Sequence, residues 1–116
     1  MKSLNREILN LALEHHRTII QRIRGAPDRG SPQFRALRKG LGYTLSVLTV
    51  KAPEEGFRLM EEMLGFRDPD LTWIVKENIG KGRLLRAFPR EVEALRGKLE
   101  SRRVIRSSGS AWRRQR

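Results

Sequence analysis

The residues of this chain that could carry chemistry are two adjacent histidines, several acid pairs and a large number of arginines. His15 and His16 follow one another on a predicted helix, where neighbouring side chains point about 100° apart. They therefore cannot chelate one metal ion together, and neither has a partner at the spacing of the H-E-x-x-H motif. We predict a structural or surface role for both histidines, and no metal site.

The acid pairs at 54–55 and 61–62 have the placement of solvated helix faces. A catalytic carboxylate needs a cleft that raises its pKa, and the sequence indicates none. The Gly-x-Gly pieces at 40–42 and 80–82 lack the longer pattern of a phosphate-binding or dinucleotide-binding loop. We therefore predict that the protein is not an enzyme and that it uses no cofactor.

Positive charge is the strongest signal in the composition. The 116 residues hold 25 lysines and arginines against 13 acids, a net charge of +12, and no cysteine. Half of that net charge lies in residues 101–116, which contain six arginines and no acid. A basic balance favours a polyanionic partner, chiefly DNA or RNA. The lack of cysteine excludes disulfides and thiolate metal sites, and it agrees with a cytoplasmic protein.

The candidate contact residues form three groups, which lie in the second predicted helix, in the fourth, and in the C-terminal tail. They are Arg35, Arg38 and Lys39; Lys76, Asn78, Lys81, Arg83 and Arg86; and Arg102, Arg103, Trp112, Arg113 and Arg114. Placed side by side, the two helices would present one basic strip to phosphates, and Trp112 could stack on a base. The alternative is that these residues are solvated helix faces and that the tail only aids solubility.

Five helices are needed to position these side chains. Apolar residues recur at spacings of three and four, and prolines stand where a helix can begin. We predict helices over about 4–24, 32–50, 53–64, 69–85 with a kink or stop near Lys81, and from 89 onward. Gly65 is predicted as the C′ residue of the third helix, a position where a left-handed backbone is common. Gly40 and Gly42 each cost roughly 1 kcal/mol in a helix interior, and the close approach of a neighbouring helix is one reason for them.

Each predicted helix has an apolar stripe for the core. The predicted inner residues are Leu4, Ile8, Leu11, Ala12, Ile19 and Ile23 in the first helix, Phe34, Leu37, Leu41, Leu45 and Leu48 in the second, Phe57, Met60, Met63 and Leu64 in the third, Leu71, Ile74, Val75 and Ile79 in the fourth, and Val92, Leu95 and Leu99 in the fifth. Trp73 and Tyr43 are predicted to pack as well, with an exposed anchor for a partner as the alternative. No segment has the alternating pattern and hairpin turns of strands, so the predicted fold is all-α.

Residues 53–79, PEEGFRLMEEMLGFRDPDLTWIVKENI, are predicted to form two amphipathic helices joined by an aspartate-containing loop at 68–70. This stretch resembles a HEAT repeat of the armadillo-like α-solenoid class. Pro53 stands at the opening of the unit, and Leu71 takes the aliphatic position after the loop. The chain has Thr72 where the family often has an arginine that stacks between repeats, so that stacking is not expected here. A looser resemblance, to the second helix of a preceding repeat, extends back to residue 35.

The resemblance implies a short right-handed α-solenoid of HEAT-like helix pairs over residues 1–100, followed by a basic tail, 101–116, that has too few apolar residues to order itself. Solenoids are mostly binding scaffolds, so the implied function is non-catalytic binding of another macromolecule, first of all a protein, through the basic helical face. The alternative is a nucleic-acid-binding protein whose arginines contact phosphates of DNA or RNA. HEAT-like DNA alkylation-repair proteins hold DNA in this way, although none of their catalytic motifs can be matched here.

Two features of the chain bear on assembly. The sequence offers two to two and a half repeats, whereas three or more are usually needed for stability. A homodimer, or capping by the long first helix, would cover the apolar faces left open. No apolar run approaches the roughly 18 residues that span a bilayer, so no membrane partner is expected.

Overall fold

The structure is a computed structural model that describes the backbone of residues 2–100 and the side chains of residues 5–100. These residues form six helices and no strand, which confirms the all-α prediction for this part of the chain. The helices are α1 (Lys2–Arg24), α2 (Pro32–Lys51), α3 (Pro53–Gly65), α4 (Pro69–Ile79), α5 (Gly82–Ala87) and α6 (89–100). The predicted fourth helix is two helices, because the chain breaks at 80–81, where the sequence indicated a kink or stop.

α2 and α4 begin in the same way. Ser31 and Asp68 are N-caps with extended backbones, and each precedes a proline in the first helical turn. The Ser31 hydroxyl oxygen accepts a hydrogen bond from the backbone N–H of Phe34. The Asp68 carboxylate accepts from the N–H groups of Asp70 and Leu71. These caps satisfy donors that a helix start leaves unpaired, so the starts of α2 and α4 are encoded locally.

The turn between α3 and α4 differs from the prediction. Gly65 is still the last residue of α3, and the left-handed residue is Arg67, with φ of 56°. The Arg67 N–H donates to the carbonyl of Leu64 at 3.2 Å, and the Phe66 N–H donates to that of Met63 at 3.3 Å. A positive φ is uncommon outside glycine, which is why the sequence pointed to Gly65 as the left-handed position.

The helices lie in two layers, in which α2 runs parallel to α4 and α1 runs parallel to α3. Between α2 and α4, Arg38 pairs with Asp70, and Gly42, further along α2, lies against Trp73, further along α4. The two helices therefore run in the same direction. The same order holds for α1 and α3, where Arg6 pairs with Glu55 and Arg17 with Glu62. Phe88, just before α6, packs edge-on against the ring of Phe57 of α3. Lys98 of α6 forms an ion pair with Glu61 of α3. One layer therefore holds α1, α3 and α6, and the other holds α2, α4 and α5.

The core lies between these layers and consists largely of the predicted residues. The predicted inner residues of α3 and α4 are all buried, and so are Phe34, Leu41, Leu45 and Leu48 of α2, and Val92 and Leu95 of α6. Leu37 and Leu99 are half-buried. The helical periodicity of four elements was therefore a sufficient guide to which side faces inward.

The prediction for α1 is wrong in part. Ile8 and Leu11 are 55% and 70% exposed, whereas Leu13, His16 and Ile20 are buried with the correctly predicted Ile23. Ala12 and Ile19 of the predicted stripe are half-buried against the core, and the side chain of Leu4 lies outside those that the structure describes. The helix carries two apolar ridges, and the neighbouring helices cover the one that contains the polar His16. The hydrogen bonds of His16 remove the cost of burying it: its Nδ1 lies 2.7 Å from the carbonyl oxygen of Ala12, and its Nε2 lies 3.0 Å from the hydroxyl of Thr44.

Candidate functional site

A cluster of charged side chains joins the loop before α2 to the start of α4. The Arg29 guanidinium donates to both carboxylate oxygens of Asp68, at 2.8 and 2.7 Å, and to Asp70 at 2.7 Å. This paired hydrogen bonding lowers the pKa of Asp68 below its ordinary value, with the N–H groups of Asp70 and Leu71 acting in the same direction. The two aspartates in turn raise the pKa of Arg29. The cluster is an internal clamp between successive loops.

Arg38 extends this clamp onto the outer surface of α2 and α4. Its Nε donates to Asp70 at 2.8 Å, and its guanidinium carbon lies 3.6 Å from the centroid of the Trp73 ring. The ring also lies close to Gly42, where an added Cβ would be 3.2 Å from it. Trp73 is therefore held between a cation and the backbone of α2, as its predicted packing role requires. Arg38, a predicted contact residue, is therefore already paired with Asp70 and Trp73 of the protein itself.

Asn78 is another predicted contact residue, and its burial contradicts that prediction. The side chain is fully buried at the α2–α4 contact. Its Oδ1 accepts from the N–H of Ser46 at 2.7 Å, and its Nδ2 donates to the carbonyls of Leu41 and Ile74 at 2.8 and 2.7 Å. These hydrogen bonds explain why a polar residue is tolerated in the core. The sequence placed Asn78 among surface cations because its neighbours at 76 and 81 are lysines.

Ser46 connects the buried Asn78 to the surface residues Tyr43 and Arg83. Its hydroxyl donates to the carbonyl of Tyr43 at 2.9 Å and accepts from Arg83 at 2.7 Å. The guanidinium carbon of Arg83 lies 5.0 Å from the centroid of the Tyr43 ring, within the range of a cation–π contact. Arg83, a predicted contact residue, is therefore half-buried and fixed against α2.

The remaining cations of α2, α4 and α5 are differently placed. Arg35, Lys39, Lys76 and Arg86 are exposed, and Lys81 is half-buried. Among residues 5–100, none of these five has a side-chain hydrogen bond or an ion pair. The guanidinium of Arg86 lies over Gly82 at the start of α5. No carboxylate of the described residues pairs with these side chains, so their charges are not neutralised within this part of the protein.

We call the outer surface of α2, α4 and α5 the basic face. It comprises Arg35, Lys39 and Tyr43 of α2, Trp73 and Lys76 of α4, and Lys81, Arg83 and Arg86 in and before α5. Glu77 is also exposed at this surface, beside Gly42. The basic face thus joins two of the three predicted groups of contact residues, through the parallel packing of α2 against α4.

Tyr43 is the residue of the basic face that the sequence analysis misplaced. It was predicted to pack in the core, yet it is 54% exposed. The available signal was its position on α2, since it falls outside the stripe formed by Phe34, Leu41, Leu45 and Leu48. The apolar run around it, from 43 to 50, concealed this difference.

The third predicted group lies outside the described residues. It consists of Arg102, Arg103, Trp112, Arg113 and Arg114, all beyond residue 100. Within the described part of the chain, no three histidine, aspartate or glutamate side chains form a group that could hold a metal ion. None of the described helices combines the length and the apolarity that a bilayer span requires.

Comparison with known proteins does not assign a function to this surface. Comparisons with protein-family models, with curated proteins and with solved structures give no match for this chain.

Proposed function

We propose that this protein is a small, non-catalytic, HEAT-like helical scaffold that binds another macromolecule through the basic face. The observation that carries this proposal is the set of five cations that are unpaired within residues 5–100 and lie along one side of α2, α4 and α5. Cations without internal partners contribute little to the stability of a fold. Their presence on one face is therefore better explained by the binding of a negatively charged partner than by a contribution to stability.

The arrangement of helices supports the HEAT-like part of the proposal. In stacked helix pairs, each helix packs beside the equivalent helix of the next pair, and α2 with α4, and α1 with α3, do so here. Arg29 and Arg38 link the two pairs through Asp68 and Asp70. We propose a right-handed stack that acts in the cytoplasm. The partner presents a negatively charged surface, and an acidic protein and a nucleic acid are the two candidates.

The experiment compares two double variants that remove the same charge. Lys39→Ser with Lys76→Ser takes two cations from the basic face, whereas Arg22→Ser with Arg90→Ser takes two exposed cations from α1 and α6. Each protein is loaded on immobilised heparin, a general polyanion, and eluted with a salt gradient. Because ionic contacts are released by salt, the variant of the basic face should elute at clearly lower salt than the control variant.

The difference in elution salt between the two double variants decides the outcome. Equal elution would mean that total charge, and not the basic face, determines binding to a polyanion, and the proposal would fall. Both pairs of side chains are exposed, so neither variant should alter the melting temperature by more than the small amount usual for surface substitutions. Circular dichroism during heating checks this point.

A further inference from the structure

We propose that the partner of the basic face is single-stranded nucleic acid, with Tyr43 as the platform on which one base stacks. This inference rests on the proposed function, and it adds the partner class and the residue that recognises it. The observation behind it is the coincidence of an exposed aromatic ring with unpaired cations on one helical surface. Proteins that bind single strands combine these two features.

Tyr43 is exposed beside an arginine whose position is set. The residue is 54% exposed, and the guanidinium carbon of Arg83 lies 5.0 Å from the centroid of its ring. Ser46 fixes Arg83 against α2, because its hydroxyl donates to the backbone carbonyl of Tyr43 and accepts from the guanidinium of Arg83. A base stacked on the ring would meet this cation already in place, so less conformational entropy is lost on binding.

The cations are spaced to follow a backbone that passes along α2. Arg35, Lys39 and Tyr43 are separated by four residues each, about 6 Å per step along the helix axis. They therefore lie in one row, with two phosphate contacts preceding the stacking position. Glu77 would repel a phosphate on the α4 side of Gly42, which favours a path along α2.

The exposed ring distinguishes a single strand from a duplex. The bases of a duplex are paired and stacked on one another, so a surface tyrosine reaches none of them unless a base is flipped out. An acidic protein would contact both the cations and the ring, because tyrosine is common in protein interfaces. A protein partner is therefore the outcome in which no oligonucleotide binds.

The experiment measures binding of a fluorescein-labelled oligothymidylate of about 12 nucleotides, within the site sizes of single-strand-binding domains, and of a duplex of equal length. Fluorescence anisotropy is recorded for the full-length protein at several salt concentrations.

Tyr43→Ala should weaken binding of the single strand about 10-fold or more, the effect of losing one stacked base. Tyr43→Phe should restore it, because the aromatic ring is retained. Val50→Ala, which shortens another exposed apolar residue of α2, is the matched control and should bind like the unaltered protein.

The salt dependence separates stacking from charge. Lys39→Ser should reduce the slope of log affinity against log salt by about 0.7, the value for one phosphate on a single strand, whereas Tyr43→Ala should leave the slope unchanged. Equal binding by Tyr43→Ala and the unaltered protein, or tighter binding of the duplex than of the single strand, would overturn the inference. If neither probe binds while heparin elution still depends on the basic face, the inference fails, and the proposed function stands with a protein as the partner.

Discussion

α3 approaches α2 so closely at Gly56 that no side chain fits between them. A Cβ added at Gly56 would overlap Oγ1 of Thr49 and would lie 2.7 Å from its Cβ and 2.8 Å from its Cα. The last of these atoms belongs to the backbone, so a new rotamer of Thr49 cannot relieve the overlap. Thr49 is also buried, and its hydroxyl donates to the carbonyl of Leu45 at 2.7 Å. Gly56→Ala must therefore push the two helices apart.

The size of this effect follows from the distances. Carbon atoms in van der Waals contact lie about 3.5–4.0 Å apart, so the contact with the Cα of Thr49 alone requires a separation of about 0.7 Å. Overpacking of this kind costs about 1–3 kcal/mol, and the better helix propensity of alanine returns up to about 1 kcal/mol. We expect Gly56→Ala to lose about 1–2 kcal/mol of unfolding free energy. For a domain of this size, the melting temperature should fall by about 3–10 °C.

Two other glycines make the test a graded series. Gly40 has no neighbouring atom within 4 Å of an added Cβ, so Gly40→Ala should raise the unfolding free energy by up to about 1 kcal/mol. Gly42→Ala would place a Cβ 3.2 Å from the Trp73 ring, and should fall between the two. Urea denaturation measures all three variants, with the m-value as a check on two-state unfolding. Equal stability of Gly56→Ala and Gly40→Ala would refute the close approach of α2 and α3.

The remaining predictions concern the charged clamp and the buried side of α1. Because the pKa of Asp68 is lower in the folded protein than its unfolded value of about 3.9, the stabilisation from Arg29 is present at neutral pH and is lost as the pH falls through the folded pKa. Arg29→Leu should therefore cost about 1–3 kcal/mol at pH 7, and this cost should shrink as the pH is lowered below the unfolded pKa of Asp68, as measured by urea denaturation at a series of pH values; a cost that stays constant with pH would contradict the role of the clamp. Ile23→Ala should cost about 2–5 kcal/mol, whereas Leu11→Ala on the exposed ridge should change stability by less than about 0.5 kcal/mol. Thermal denaturation compares these two variants, and the reverse order would show that the ridge of Leu11 is the buried one.

The all-α class and most helix boundaries could be predicted because their causes are local. The caps at Ser31 and Asp68 and the break at 80–81 act within a few residues, and apolar spacing marks an inner face without knowledge of the neighbour. That reasoning failed for Ile8 and Leu11 of α1, because two apolar ridges satisfy the same spacing. The choice between them depends on which side meets α2 and α3, and His16 lies on the buried side through its bond to Thr44, 28 residues away.

The amino-acid sequence by itself determined that this chain is helical, strongly basic, and rich in cations on α2, α4 and α5. It could not determine which of those cations are available, because the deciding contacts join residues 32 to 41 positions apart: Arg38 with Asp70, Arg83 with Ser46, and Arg29 with Asp70. Only the packing of α2 against α4 buried Asn78, engaged Arg38 and left Tyr43 exposed beside Arg83. Spacing along a helix reports what is near in sequence, whereas the pairing of a charge is decided by what the folded chain brings beside it.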